Sequence, residues 1–156
     1  MKIKPVTVSV DVPFPRSAVY DFLDVMANHE PFTNHVLTDW RLSGPARGVG
    51  AKARVKARSG PVVDDVEIEV VEADPPRISR ERNVGAGGRR VAYGTYELDE
   101  LPGGGTRVRF TYSWERIPLR ERVLGPVLRS TVRRMNERAM QRLAEHLATA
   151  LEAPGP

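Results

Sequence analysis

The feature that most constrains this 156-residue chain is an apolar stripe near its carboxy terminus. Leu124, Leu128, Val132, Met135, Ala139, Leu143, Leu147 and Leu151 recur at steps of three and four, the period of an amphipathic helix. A helix from about residue 119 to 151 is about 45–50 Å long at 1.5 Å per residue, with Gly125-Pro126 expected to kink or restart it. A rod of that length owes its stability to whatever covers its apolar face, so the rest of the chain must supply a cover of similar extent.

The preceding residues read as that cover. Val6, Val8, Val10 and Val12 alternate with Thr7, Ser9 and Asp11, a half-buried strand stopped by Pro13 and Pro15. From Arg16 to Ala27 the period changes, with Val19, Phe22, Leu23 and Met26 on one helical face, and residues 28–35 form a second short helical or irregular piece. Strands follow at 36–42, 51–58, around 66–70, 77–84, 90–99 and 106–114, separated by Gly- and Pro-rich turns such as Asp74-Pro75-Pro76 and Pro102-Gly103-Gly104-Gly105.

Six consecutive strands joined by tight turns make an antiparallel meander, and the first strand adds to an edge to give seven. The expected class is α+β: a seven-stranded antiparallel sheet wrapped around a long C-terminal helix, with two short helices between strands 1 and 2, in one domain over residues 1–156. A twisted sheet curled around one helix leaves hollow space wherever inward residues are small, and Ala51, Ala53, Ala57, Ala92 and Gly94 are such places.

Composition excludes several chemistries. With no cysteine there is no thiol nucleophile, cysteine-ligated metal or disulfide. No segment reads as a signal peptide or a membrane span, so the expectation is a cytoplasmic protein. The net charge of +4 is modest. Eight arginines between Arg116 and Arg142 face only Glu121 and Glu137, yet they are spread around the helix without exposed aromatics between them, so a solvated face is expected rather than a nucleic-acid platform. The glycine clusters at 85–88 and 103–105 lack the following Lys-Ser or helix start of a phosphate loop and read as hairpin turns.

At fold level the chain resembles the START/helix-grip (SRPBCC) superfamily, in its bacterial polyketide cyclase/dehydrase-like branch. The residues that carry the resemblance run from Val10-Asp11-Val12-Pro13-Phe14-Pro15 through Arg16-Ser17-Ala18-Val19-Tyr20-Asp21-Phe22-Leu23. Gly48-Val49-Gly50-Ala51, Gly94-Thr95-Tyr96-Glu97-Leu98, Gly104-Gly105-Thr106-Arg107-Val108 and the terminal helix continue it over nearly the whole chain. The resemblance implies an elongated apolar cavity between sheet and helix that holds lipids, sterols, hormones or polyketides, in some members as a cyclisation chamber.

Candidate site residues follow from charge and burial. In the strand 77–84, Ile78, Arg80, Arg82 and Val84 share one face and Ser79, Glu81 and Asn83 the other, so either register places polar groups inside, where each needs a partner. Arg82 is a candidate on the first register. His35 is a candidate acid or base because it enters a strand, whereas His29 reads as a helix-end or surface residue and His146 as a boundary residue. Tyr96 and Tyr112 are candidate wall residues whose buried phenols need partners, while Trp40 and Trp114 read as core.

The expected cavity lining is Phe22, Met26, Phe32, His35, Val55, Ile68, Arg82, Tyr96, Phe110, Tyr112, Leu128 and Met135, with His35, Arg82 and Tyr112 as the catalytic candidates. The histidines have no metal-ligand spacing, and neither metal nor cofactor is expected. The favoured function is binding of a hydrophobic small molecule, lipid-like or polyketide-like. The alternatives are an aromatase/cyclase-type enzyme acting in the same cavity and a protein-interaction module using the basic terminal helix. The protein is expected to be a monomer or homodimer.

Overall fold

The structure, a computed structural model, describes residues 2–152. Strand β1 (Val6–Val12) leads into helix α1 (Arg16–Asp24), a 3-10 turn at Met26–His29 and the short helix α2 (Glu30–Thr33). The meander follows as β2 (Leu37–Ser43), β3 (Lys52–Ser59), β4 (Val62–Asp74), β5 (Ile78–Gly85), β6 (Arg90–Glu100) and β7 (Thr106–Arg116). Helices α3 (Leu119–Val123) and α4 (Gly125–Glu152) close the chain.

All seven strands form one antiparallel sheet in the order β1-β7-β6-β5-β4-β3-β2. The first strand joins the edge beside the last, with Val8 opposite Phe110 and Val12 opposite Thr106. This is the helix-grip architecture, with the sheet curled around α4 and the short helices set between β1 and β2.

The core explains how the grip is held. Val8, Val12, Val19, Tyr20, Leu23, Leu98, Val108, Leu143 and Leu147 pack in one buried cluster. Leu143 and Leu147 are fully buried, so the C-terminal half of α4 lies tight against the sheet. A second cluster joins Met26 to Ala51, Ala53, Val55, Ile68 and Val70. It corrects one expectation, because the small residues Ala51 and Ala53 leave no hollow. The segment after α1 is tied to the β2–β3 loop by Met26 N–H donating to Ala46 O at 3.2 Å, and the Met26 side chain packs in the same cluster as the two alanines.

The break before α4 falls where Gly125-Pro126 suggested it. It changes the stripe at that end: Leu124 is 58% exposed and stands with Leu119, Val123 and Val127 outside the core, and Leu151 is exposed at the far end. The buried part of the stripe therefore runs only over its middle.

Three of the arginines expected to be solvated act as staples. Arg129 donates to the carbonyls of Lys4 and Pro5 at 3.0 and 3.1 Å, and Arg133 to that of Thr7 at 3.3 Å. These carbonyls lie on or just before the edge strand β1, so α4 covers part of an edge that would otherwise offer free acceptors. Arg142 donates to Pro31 O at 2.8 Å and to Asn34 Oδ1, tying α2 to α4.

Candidate functional site

Only the C-terminal half of α4 is packed tight. Around Val132, Met135 and Asn136 the helix is half-buried and stands off the sheet, and a cavity of about 180 Å³ lies beneath it. Its walls are apolar over most of their extent: Phe32 from α2, Val36 from the turn after it, Leu37 and Trp40 from β2, Ala57, Val66 and Ile68 from β3 and β4, and Phe110 from β7. The size suits a small ligand and falls below the usual range for drug-sized pockets.

The polar end comes from β5. Its buried side chains are Ser79 and Glu81, with Asn83 half-buried on the same face, while Arg82 is exposed on the other. The register is decided by what each face offers. Outside, Arg82 stands opposite Glu69 and Tyr93 in the strand register, and the Arg80 guanidinium lies 4.2 Å from the centre of the Tyr93 ring. Inside, Glu81 is the one carboxyl among the described lining residues, and a carboxyl can be protonated and lose its charge where a guanidinium cannot.

Space for the Glu81 carboxyl is made by Gly94, its direct neighbour on β6. A Cβ at Gly94 would lie 2.8 Å from Phe110 Cζ and 3.3 Å from Glu81 Oε1, so only glycine lets both side chains fold over that position.

Glu81 Oε2 faces His29 Nδ1 at 4.0 Å, and the His29 ring lies against Phe32 and Tyr96 at centroid distances of 5.3 and 5.7 Å. His29 Nε2 is 2.6 Å from Leu23 O. A carbonyl only accepts, so Nε2 carries the proton and the neutral ring turns a bare Nδ1 toward Glu81. Burial pushes Glu81 up to about 7 and holds His29 below its usual value, with the Leu23 carbonyl and Asp24 acting against that. Burial first, then the Glu81 charge, raises Tyr96 well above the ordinary phenol, and burial lifts Tyr112 to about 12 despite nearby Arg90.

The guanidinium in the wall, Arg90, is already committed. Its Nη1 donates to Asp64 Oδ2 at 2.8 Å, and Nε and Nη2 donate to Glu121 at 2.9 and 3.2 Å. It thereby joins β4, β6 and α3. In contrast, Asn83 Oδ1 and Asn136 Nδ2, both from wall residues, have no hydrogen-bond partner. Among the described residues no cluster of three or more His, Asp or Glu is placed to hold a metal ion.

Of the expected lining, Phe32, Ile68, Tyr96, Phe110, Tyr112 and Met135 meet in the wall. The others do not. Phe22 packs half-buried against the first cluster, Met26 and Val55 sit in the second, and Leu128 lies on α4 outside the wall. Arg82 points away, on the solvent side of β5. His35 is a brace, its Nε2 bonded to Met135 O at 3.0 Å. His29, read as a helix-end or surface residue, is 5% exposed, because the chain after α1 turns inward to place it under Phe32. Trp40, read as core, packs against the second cluster and also lines the cavity. The one sequence signal for Glu81 and Asn83 was the second register of an anomalously polar strand.

A wider groove of about 380 Å³ crosses the outer face of the sheet. Four of its six charged residues are ion-paired, Arg54 with Glu67 at 3.4 Å and Lys56 with Asp65 at 2.5 Å.

Residues 5–152 match the family model described as polyketide cyclase / dehydrase and lipid transport. The chain belongs to that family. No curated protein is matched by sequence. Among solved structures it is similar to the Zhui aromatase/cyclase of a Streptomyces species, with a TM-score of 0.79 at 13% identity over 97% of this chain and 98% of that one. It is similar also to a protein of Thermus thermophilus, with a TM-score of 0.75 at 19% identity over 94% and 99% of the two chains. A major latex-like protein of Panax ginseng gives 0.71 at 12% identity over 92% and 96%. At these identities the likeness establishes the fold that this polyketide cyclase/dehydrase family member shares with them. No helix among its described residues is long and apolar enough to cross a membrane.

Proposed function

We propose that this protein binds a small hydrophobic molecule, lipid-like or polyketide-like, in the cavity between sheet and α4. The observation that carries the reading is the stand-off of α4 over an apolar chamber, at Val132 and Met135, next to a helix segment packed solid at Leu143 and Leu147. Burial of apolar ligand surface at about 25 cal/mol per Å² supplies most of the affinity. The test is titration with N-phenyl-1-naphthylamine together with native mass spectrometry of the freshly purified protein. Saturable binding that Ala57→Phe abolishes, with folding intact, supports the reading. Absence of binding in the wild type, with no co-purified small molecule, overturns it.

A second reading, an aromatase/cyclase-type enzyme in the same chamber, is favoured by Glu81, poised near neutrality beside a bare imidazole nitrogen. Ionised Glu81 would take the proton from a carbon between two carbonyls, and Tyr96 would hydrogen-bond the enolate oxygen. Turnover of a poly-β-ketone thioester that survives Glu81→Gln unchanged removes this reading. The basic-helix interaction module is less favoured, since three of its eight arginines, Arg129, Arg133 and Arg142, donate to intramolecular carbonyls.

A further inference from the structure

The cavity contains a conflict that bears on ligand charge. Glu81 and His29 are 8% and 5% exposed, and each is a titratable group at the polar end of a largely apolar cavity. Of the groups facing Glu81, His29 is held neutral by burial and by donating Nε2–H to Leu23 O, and Tyr96 stays protonated. Tyr112, on β7, also stays protonated. From α4 the wall receives only Val132, Met135, Asn136, Ala139 and Met140, none of them charged. Among the described wall residues the permanent cation is Arg90, and its charge is already paired with two carboxylates, Asp64 and Glu121, through three of its N–H groups.

An anionic ligand seated here therefore meets no free cation and one carboxyl. Its charge would have to be desolvated beside Glu81, a like-charge contact in a low-dielectric site. An uncharged ligand oxygen is better served. A carbonyl can accept from protonated Glu81 or from a Tyr96 hydroxyl, and a ligand hydroxyl can donate to ionised Glu81 or to His29 Nδ1. The unpartnered Asn83 Oδ1 and Asn136 Nδ2 are likewise neutral groups, one acceptor and one donor, available to a polar but uncharged molecule.

We infer that the cavity selects by charge, taking uncharged molecules that carry a hydroxyl or carbonyl at the Glu81–His29 end and refusing carboxylates of the same shape. The inference rests on the cavity reading above and narrows it, because it removes free fatty acids from the candidate ligands. It also makes any residual carboxylate binding proton-linked. A carboxylate is admitted only when Glu81 is protonated, so its affinity rises as pH falls through the region where Glu81 gains its proton.

The experiment compares three bicyclic probes of one size: naphthalene, 1-naphthol and 1-naphthoate. Affinities of the full chain are measured at pH 8 and pH 5.5, where the first two stay uncharged and the third stays anionic. In the wild type at pH 8, naphthol is expected to bind at least about tenfold tighter than naphthoate. Naphthoate is expected to gain about tenfold on going to pH 5.5, the change in the protonated fraction of a group titrating near 7, while naphthol changes less than about threefold. In Glu81→Gln, naphthoate is expected to bind at pH 8 about as it does to the wild type at pH 5.5. If that variant does not fold, the wild-type pH series tests charge selection by itself. Equal, pH-independent affinity for naphthol and naphthoate overturns charge selection and leaves the cavity reading standing. Failure of all three probes, naphthalene included, overturns both.

Discussion

The Oε2 of Glu81 lies 4.0 Å from Nδ1 of His29, with both side chains nearly sealed from solvent and the other imidazole nitrogen anchored on Leu23 O. The pair gives the interior opposing pH dependences. Glu81 has a folded pKa of about 7 against 4.5 as a free group, so the folded protein holds this proton more tightly than the unfolded chain. Its contribution is full below 4.5 and is lost as pH rises through 7. His29, lowered by burial, acts in the other sense: the unfolded chain takes its proton more readily, so stability falls as pH drops below 6.5. Glu81→Gln is expected to gain about 2 kcal/mol relative to wild type between pH 5.5 and pH 8, at 1.36 kcal/mol per pKa unit. Urea midpoints at the two pH values measure it, and parallel wild-type and variant curves would contradict it.

Gly94→Ala tests the close approach at the cavity floor. The added methyl meets the Phe110 ring at 2.8 Å, inside any real Cβ contact, and crowds the Glu81 carboxyl at 3.3 Å. Overpacking of this kind costs about 1–3 kcal/mol. The Phe110 ring is expected to swing into the chamber, lowering affinity for N-phenyl-1-naphthylamine by at least tenfold. A variant that binds as well as wild type would show that the floor is softer than its packing implies.

Arg90→Met addresses the junction of β4, β6 and α3. Its guanidinium spans Asp64 and Glu121, and removing it leaves two partly buried carboxylates without their cation. Both acids are about a quarter exposed, so solvent screening limits the loss to about 2 kcal/mol. Amide exchange is expected to quicken at residues 119–123, which little else attaches. Arg90→Lys is expected to rescue only part of the loss, since one ammonium cannot reproduce the two-sided fork.

His35→Ala and Arg82→Ala separate bracing from ligand contact. Loss of the His35 bond to Met135 O is expected to cost about 1 kcal/mol and to loosen α2 against α4. Arg82→Ala is expected to leave probe affinity within twofold, because the side chain lies on the solvent face of β5. A loss of tenfold or more in Arg82→Ala would mean that β5 presents its other face to the ligand.

Tyr20→Phe probes the seat of α1 on the sheet. The buried hydroxyl donates to Ile78 O at 3.1 Å, and its loss leaves that carbonyl short of a donor, a cost of about 1 kcal/mol. Thermal unfolding is the readout, and an unchanged midpoint would contradict it.

The grip itself was legible in local pattern. Period-2 strands such as Ala51 to Arg58, the Gly-Pro break at 125–126 and the stripe through Leu143 and Leu147 each carry a local preference that agrees with the final architecture. The inner aromatics Tyr96, Phe110 and Tyr112 were legible for the same reason, since alternation assigns a side to every residue of a regular strand. Where the hollow lies and which polar groups face it were settled only by packing between distant elements. Met26, brought over β3 by the path of the chain after α1, fills the space beside Ala51 and Ala53, while α4 stands off the sheet farther along. In the polar strand 78–85 both faces carry charge, so alternation assigned no side. The choice of Glu81 over Arg82 came from what the neighbouring strands place opposite each face, and from the fact that a buried carboxyl can shed its charge where a guanidinium cannot.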